Sequence, residues 1–147
     1  MQPERNVPNR IFVDTLFVIA LVNSRDQYHA KATELALKYE SVPLLVTDAV
    51  LLEIGNGLAR GFKDEATEVI NSFFLSEEVE VVHLTPELFK RGFDLYQKYK
   101  DKDWGLIDSI SFVVMGERGV TDALTFDRHF EQAGFNAMMT VDTPMNL

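Results

Sequence analysis

The 147-residue sequence contains no cysteine, which excludes disulfide frameworks, thiolate metal centres and cysteine nucleophiles together and suits a reducing cytosol. It also lacks a long hydrophobic run. The stretch 11–22 is interrupted by Asp14 and Thr15 and falls short of the ~20 apolar residues a spanning helix needs. Asn23-Ser24-Arg25 follows directly and offers no small-x-small signal cleavage site, so the expectation is a cytosolic protein with no membrane segment. Basic charge is scarce, 14 Lys and Arg against 23 Asp and Glu, giving a net charge of −9. That argues against a passive nucleic-acid binder, which needs basic patches. It leaves open a nuclease in which divalent ions reverse the local field, and it would also suit a basic protein partner. His29, His83 and His129 lack H-E-x-x-H spacing and read as surface or structural. There is no phosphate-binding glycine loop; Gly55-Asn56-Gly57 falls inside a helical stretch and reads as a close-packing site.

What is present is enough apolar residue, 46% of the chain, to fill the core of one domain. Residues 1–147 are read as a single domain, with 1–9 a loose arm carrying two prolines. A buried strand over 10–13 ends at Asp14, and an apolar helix over 15–22 follows. A helix over 26–39 stops before Pro43. Residues 44–46 read as a strand, and Thr47 or Asp48 caps a helix running to about Arg60, where Gly61 ends it. A helix over 63–75, a strand over 79–84 and a helix opened by Thr85-Pro86-Glu87 and ending near Lys100 come next. The remainder reads as a helix over 106–117, a strand over 123–125, a helical turn over 127–132 and a last strand over 137–141. Short apolar strands alternating with helices imply a parallel sheet covered on both faces. Sites in such sheets form beyond the carboxyl ends of the strands. Asp14 and Asp127 fall there.

Four acids stand out by their neighbours. Asp14 closes Ile11-Phe12-Val13 and either caps the next helix or serves a site. Glu53 lies in Val50-Leu51-Leu52-Glu53-Ile54, where capping is already taken, so the alternatives are an ion pair with Arg60, a water-facing edge or a site. Asp108 stands in the first turn of an apolar helix, a favourable place against the helix dipole. Asp127 follows Leu124-Thr125-Phe126 and is again a cap or a ligand. Asp103 is a weaker candidate near Asp108, and Thr125 can share the cleft because strand side chains alternate. If the four acids converge, repulsion raises their pKa values unless cations neutralise them. Hard oxygen donors suit Mg²⁺ or Mn²⁺, and two such ions can activate a water and stabilise the leaving oxygen of a phosphodiester. Trp104 reads as a half-buried aromatic beside a turn, with stacking on an RNA base the alternative. Arg10, Arg60, Arg91 and Arg128 are candidates for phosphate contact.

Taken in order, Ile11-Phe12-Val13-Asp14-Thr15, Val50-Leu51-Leu52-Glu53, Leu106-Ile107-Asp108-Ser109-Ile110-Ser111-Phe112 and Leu124-Thr125-Phe126-Asp127-Arg128-His129-Phe130 resemble the four acid-bearing segments of PIN-domain ribonucleases. The likeness is to the VapC-type toxins of toxin–antitoxin pairs in particular. The resemblance implies an α/β/α three-layer sandwich with a mainly parallel sheet, and endonucleolytic cleavage of RNA with Mg²⁺ or Mn²⁺. It further implies a small antitoxin protein that blocks the site, and a homodimer. It carries Asp14, Glu53, Asp108 and Asp127 over as catalytic metal ligands, with Asp103 and Thr125 in support. Asp14 and Asp127 would hold the principal ion, Asp108 and Glu53 a second position. Phe112 departs from the small residue many relatives have there, a difference expected to concern packing. A PIN-like domain without catalysis, acting as an RNA- or protein-binding module, is the alternative.

Overall fold

A computed structural model describes residues 7–140. Most of the expected arm, residues 1–6, and Val141 of the expected last strand lie outside the described residues. Along the chain run β1 (Ile11–Val13), α1 (Thr15–Val22), α2 (His29–Lys38), β2 (Leu44–Thr47), α3 (Asp48–Gly57), α4 (Lys63–Leu75) and β3 (Val79–Val82). They are followed by α5 (Pro86–Lys98), α6 (Leu106–Arg118), β4 (Asp122–Leu124), α7 (Arg128–Gln132), β5 (Asn136–Ala137) and a 3-10 turn at Met138–Thr140.

The five strands form one sheet in the order β3-β2-β1-β4-β5, every pairing parallel. Ile11, Phe12 and Val13 of the central strand are fully buried, as are Leu45, Val46 and Ala123 beside them. Unbroken apolar strands are what a sheet covered on both faces requires. Helices α1 to α4 pack on one another, and α5 to α7 form a second group, the two flanking the sheet. This is the expected α/β/α sandwich. Thr47 and Thr85 cap their helices by accepting from the N–H groups of Val50 and Leu88, which fixes where the chain turns from strand or loop into helix.

Two close approaches set the helix packing. A Cβ on Gly92 would lie 2.5 Å from Ile110 Cγ1 and 3.3 Å from its Cα, so glycine is what lets α5 rest on α6. On the other side, a Cβ on Gly57 would lie 2.8 Å from Ile19 Cδ1, as the close-packing reading of Gly55-Asn56-Gly57 expects. Phe112 stands edge-on between Trp104 and Phe130, ring centroids 5.1 and 5.0 Å away, so its bulk is used in the core.

Element ends differ from the sequence reading in two instructive places. α2 starts at His29 instead of residue 26, because Asn23 and Asp26 accept hydrogen bonds from the backbone N–H groups two residues on, Arg25 and Tyr28. Such turns compete with helix. The last strand stops at Ala137, because Thr140 donates to the Ala137 carbonyl and Met139 N–H to the Thr125 carbonyl, curling the chain into a 3-10 turn.

At the amino end of the sheet, Arg10 and Arg118 both donate to Glu80, at 2.7 and 2.8 Å. These bonds join β3 to the approach of β1 and the end of α6. The Arg118 hydrogen bond holds the Glu80 carboxyl below the usual range.

Candidate active site

At the opposite, carboxyl end, β1 and β4 lie side by side and their exits bring Asp14 and Thr125 together. Asp14 occupies the N-cap position of α1 yet makes no capping bond; its Oδ2 instead accepts from Thr125 Oγ1 at 2.7 Å. Asp14 is only 5% exposed and Thr125 is fully buried. Thr125 Oγ1 also accepts from the Asp127 N–H at 3.0 Å, which sets the path of the chain into α7. Asp127 caps α7 by accepting from the His129 N–H at 2.9 Å.

Two more acids arrive from helices. Asp108 lies in the first turn of α6, where its Oδ2 accepts from the Gly105 N–H at 3.4 Å and lies 3.2 Å from His129 Nδ1. Glu53 projects from α3 and accepts from Thr15 Oγ1 at 2.7 Å, so the Arg60 ion pair is not formed. Asp14, Glu53, Asp108 and Asp127, with Thr15 and Asn56, line a cleft of about 500 Å³. At its edge Asp108 and Asp127 group with His129, the three ligand atoms lying within 4.8 Å of one another. Asp103 is exposed and lies outside the cleft lining. Trp104 is buried, donating to Gln132 Oε1 at 2.9 Å.

The electrostatics follow from burial and from the acids themselves. Burial pushes the Asp14 carboxyl up to about 7; the charges on Asp108 and Asp127 add to this, against the Thr125 and Thr15 hydrogen bonds. Burial also raises Asp108, with Asp127 adding to it and His129 and Gly105 opposing. Among the described residues no Lys or Arg pairs with any of the four acids, and His129 is the one basic side chain touching them. Each carboxylate has one oxygen anchored: by Thr125, Thr15, His129 Nδ1 with Gly105, or the His129 N–H. The second oxygen of each has no side-chain partner among the described residues. Four carboxylates lining one cleft without a Lys or Arg partner are a donor set that hard divalent cations satisfy. The residues present therefore fit Mg²⁺ or Mn²⁺.

The sequence reading passed over three residues here. Thr15 orients Glu53, Asn56 lines the cleft, and His129, read as surface or structural, lies against two of the acids. The spacing of His129, two residues after Asp127, was its only signal. His83 pairs with Asp48 and His29 Nδ1 lies 2.9 Å from the Ala20 carbonyl, both structural. Arg10 is held by Glu80 and Arg91 by Glu117, which occupies two of the proposed phosphate contacts.

Comparison with known proteins agrees with this arrangement. The PIN domain profile matches residues 11–136. The 23S rRNA-specific endonuclease VapC20 of Mycobacterium tuberculosis is 32% identical over 125 residues, spanning 85% of this chain and 95% of that protein. The crystal structure of Mycobacterium tuberculosis VapC20, described as a sarcin-ricin loop cleaving toxin, superposes with a TM-score of 0.78 at 29% identity, over 87% of this chain and 98% of that one. The fold alone is shared with VapBC2 from Rickettsia felis, solved bound to a DNA fragment from its promoter, at a TM-score of 0.55, 16% identity, and 85% and 93% coverage. With the family profile spanning most of its length and all four acids gathered at the carboxyl end of its sheet, the chain belongs to the PIN-domain family.

Proposed function

We propose that this protein is a divalent-metal-dependent endoribonuclease and the toxin of a toxin–antitoxin pair, built as a single PIN-like domain. The observation that carries the reading is the convergence of Asp14, Glu53, Asp108 and Asp127 from four separate elements on one cleft, with Asp14 buried and unneutralised. In this reading Asp14 and Asp127 hold the principal Mg²⁺ or Mn²⁺, and Asp108 and Glu53 complete or bridge a second position. A bound ion supplies charge neutralisation at the phosphate and a water acidic enough to react near neutral pH.

The chain's own residues do the rest by orientation. Thr125 fixes the Asp14 carboxylate and, through the Asp127 N–H, the start of α7. Thr15 holds Glu53 at the more open side of the cleft. No protein nucleophile is required in this reading: water would add to phosphorus as the bond to one bridging ester oxygen breaks, and that oxygen would leave as a hydroxyl after taking up a proton. Net acidity makes approach of RNA unfavourable without cations, which ties binding as well as chemistry to the metal.

The likeness to VapC20 makes ribosomal RNA the first substrate to test. A small antitoxin covering the cleft, a homodimer and a cytosolic location are proposed with it. The test uses the full chain, freed of any antitoxin, incubated with total cellular RNA, 23S rRNA included, and Mn²⁺. Discrete cleavage that disappears with chelator and with Asp14→Asn supports the reading. Intact RNA under those conditions, or an Asp14→Asn variant as active as the parent, overturns it in favour of a non-catalytic binding module.

A further inference from the structure

Among the described residues His129 is the one side chain that bridges two of the four acids from different elements. Its ring Nδ1 lies 3.2 Å from Asp108 Oδ2 and 3.4 Å from Asp127 Oδ1, while its backbone N–H donates to Asp127 Oδ1 at 2.9 Å. We propose that His129 is a positioning residue: its ring holds Asp108 at a fixed place beside Asp127 and thereby sets how tightly the cleft holds a divalent cation. The proposal rests on the nuclease reading above for the use of that cation.

The geometry gives the two acids unequal dependence on this residue. Asp127 is held by the backbone N–H, which survives every substitution but proline. Asp108 is held by the ring, its other anchor being the long 3.4 Å contact from Gly105. A carboxylate is acceptor-only when ionised, so the ring nitrogen facing it carries the proton whether the imidazole is neutral or cationic. The contact is therefore open to either form of the ring. Asp108 lies in the first turn of α6 and Asp127 follows β4, and no other side chain spans the gap between them among the described residues. Without the ring, like charge would drive the two carboxylates apart and leave their free oxygens no fixed separation. The ring itself is 29% exposed and Asp108 21%, so neither is locked by core packing alone. Partners that orient ligating side chains in this way contribute about 10–100-fold to metal affinity.

Substitution can separate this role from simple space filling. The amide nitrogen of Asn stands the same number of bonds from Cβ as Nδ1, whereas that of Gln reaches the Nε2 position. The experiment titrates the metal-free full chain and its variants with MnCl₂ by calorimetry, with cleavage of RNA followed in parallel. His129→Ala and His129→Gln are expected to weaken Mn²⁺ binding by about 10–100-fold, and His129→Asn to stay within about threefold of the parent. Cleavage by the Ala variant recovers as Mn²⁺ is raised, because the loss lies in occupancy. Parent-like Mn²⁺ affinity in His129→Ala overturns the proposal, as does an Asn variant as weak as Ala. A ring-nitrogen coupling in the spin echo of bound Mn²⁺ also overturns it, since the ring would then be a ligand. Asp14→Asn run alongside separates the two readings. If it loses Mn²⁺ and His129→Ala does not, only the positioning role falls; if the parent binds no Mn²⁺, the nuclease reading falls and takes this with it.

Discussion

Replacing Asp14 by Asn should make the metal-free protein more stable, and by an amount that depends on pH. Burial and like charge hold the Asp14 carboxyl at about 7 against its ordinary 3.8, a difference corresponding to roughly 4 kcal/mol. The sign follows from proton binding. Between 3.8 and 7 the folded chain binds more protons than the unfolded chain, so its stability falls as pH rises. The advantage of the protonated form is complete below 3.8, and the penalty of the ionised form is complete above about 7. Asp108, also raised, acts in the same direction. Asn never ionises, and its amide oxygen still accepts from Thr125, though a neutral acceptor gives up about 1–2 kcal/mol relative to a charged one. A net gain of about 2 kcal/mol at pH 8 remains, roughly 4–8 °C in melting temperature for a chain of this size. The assay is thermal unfolding of parent and Asp14→Asn in chelator at pH 5 and pH 8. The variant should lead by more at pH 8, and saturating Mn²⁺ should reverse the order by stabilising the parent alone. An equal difference at both pH values, or a variant less stable than the parent at pH 8 without metal, would refute the electrostatic account of this cleft.

Other perturbations separate stability from chemistry. Thr125→Val removes the buried donor to Asp14 and should cost about 1–3 kcal/mol in a denaturant titration, with a loss of cleavage. Glu53→Gln touches an exposed side chain; its melting curve should shift by less than about 0.5 kcal/mol while RNA cleavage is lost. Gly92→Ala gains about 1 kcal/mol of helix propensity but forces a methyl to 2.5 Å from Ile110 Cγ1. The overpacking cost of roughly 1–3 kcal/mol should outweigh it, giving a lower denaturation midpoint with Mn²⁺ affinity unchanged.

Much of the scaffold was legible because its signals are local. Ile11-Phe12-Val13 and Leu44-Leu45-Val46 are unbroken apolar runs, and only a strand buried on both faces needs them. The Thr85-Pro86 pair marks a helix start by chemistry that acts within one turn. Asp14 and Asp127 were found the same way, as acids directly after strands. His129 was not, because its place depends on the distance between the start of α6 and the exit of β4, which no linear spacing encodes. The 3-10 turn after Ala137 was missed for a related reason: Ala137-Met138-Met139 looks extended until the Thr140 hydroxyl and the Thr125 carbonyl, 15 positions apart, hold it curled. Asn23 and Asp26 carried a readable turn signal, and the apolar stripe that follows them masked it.

The hydrogen bond between Asp14 and Thr125 joins positions 111 residues apart. The two halves of the acidic pocket can therefore meet only once synthesis has passed Thr125. A nascent chain that stops before Asp127 holds at most three of the four carboxylates. The protein becomes dangerous to RNA, on the reading proposed here, only when β4 has slid in beside β1.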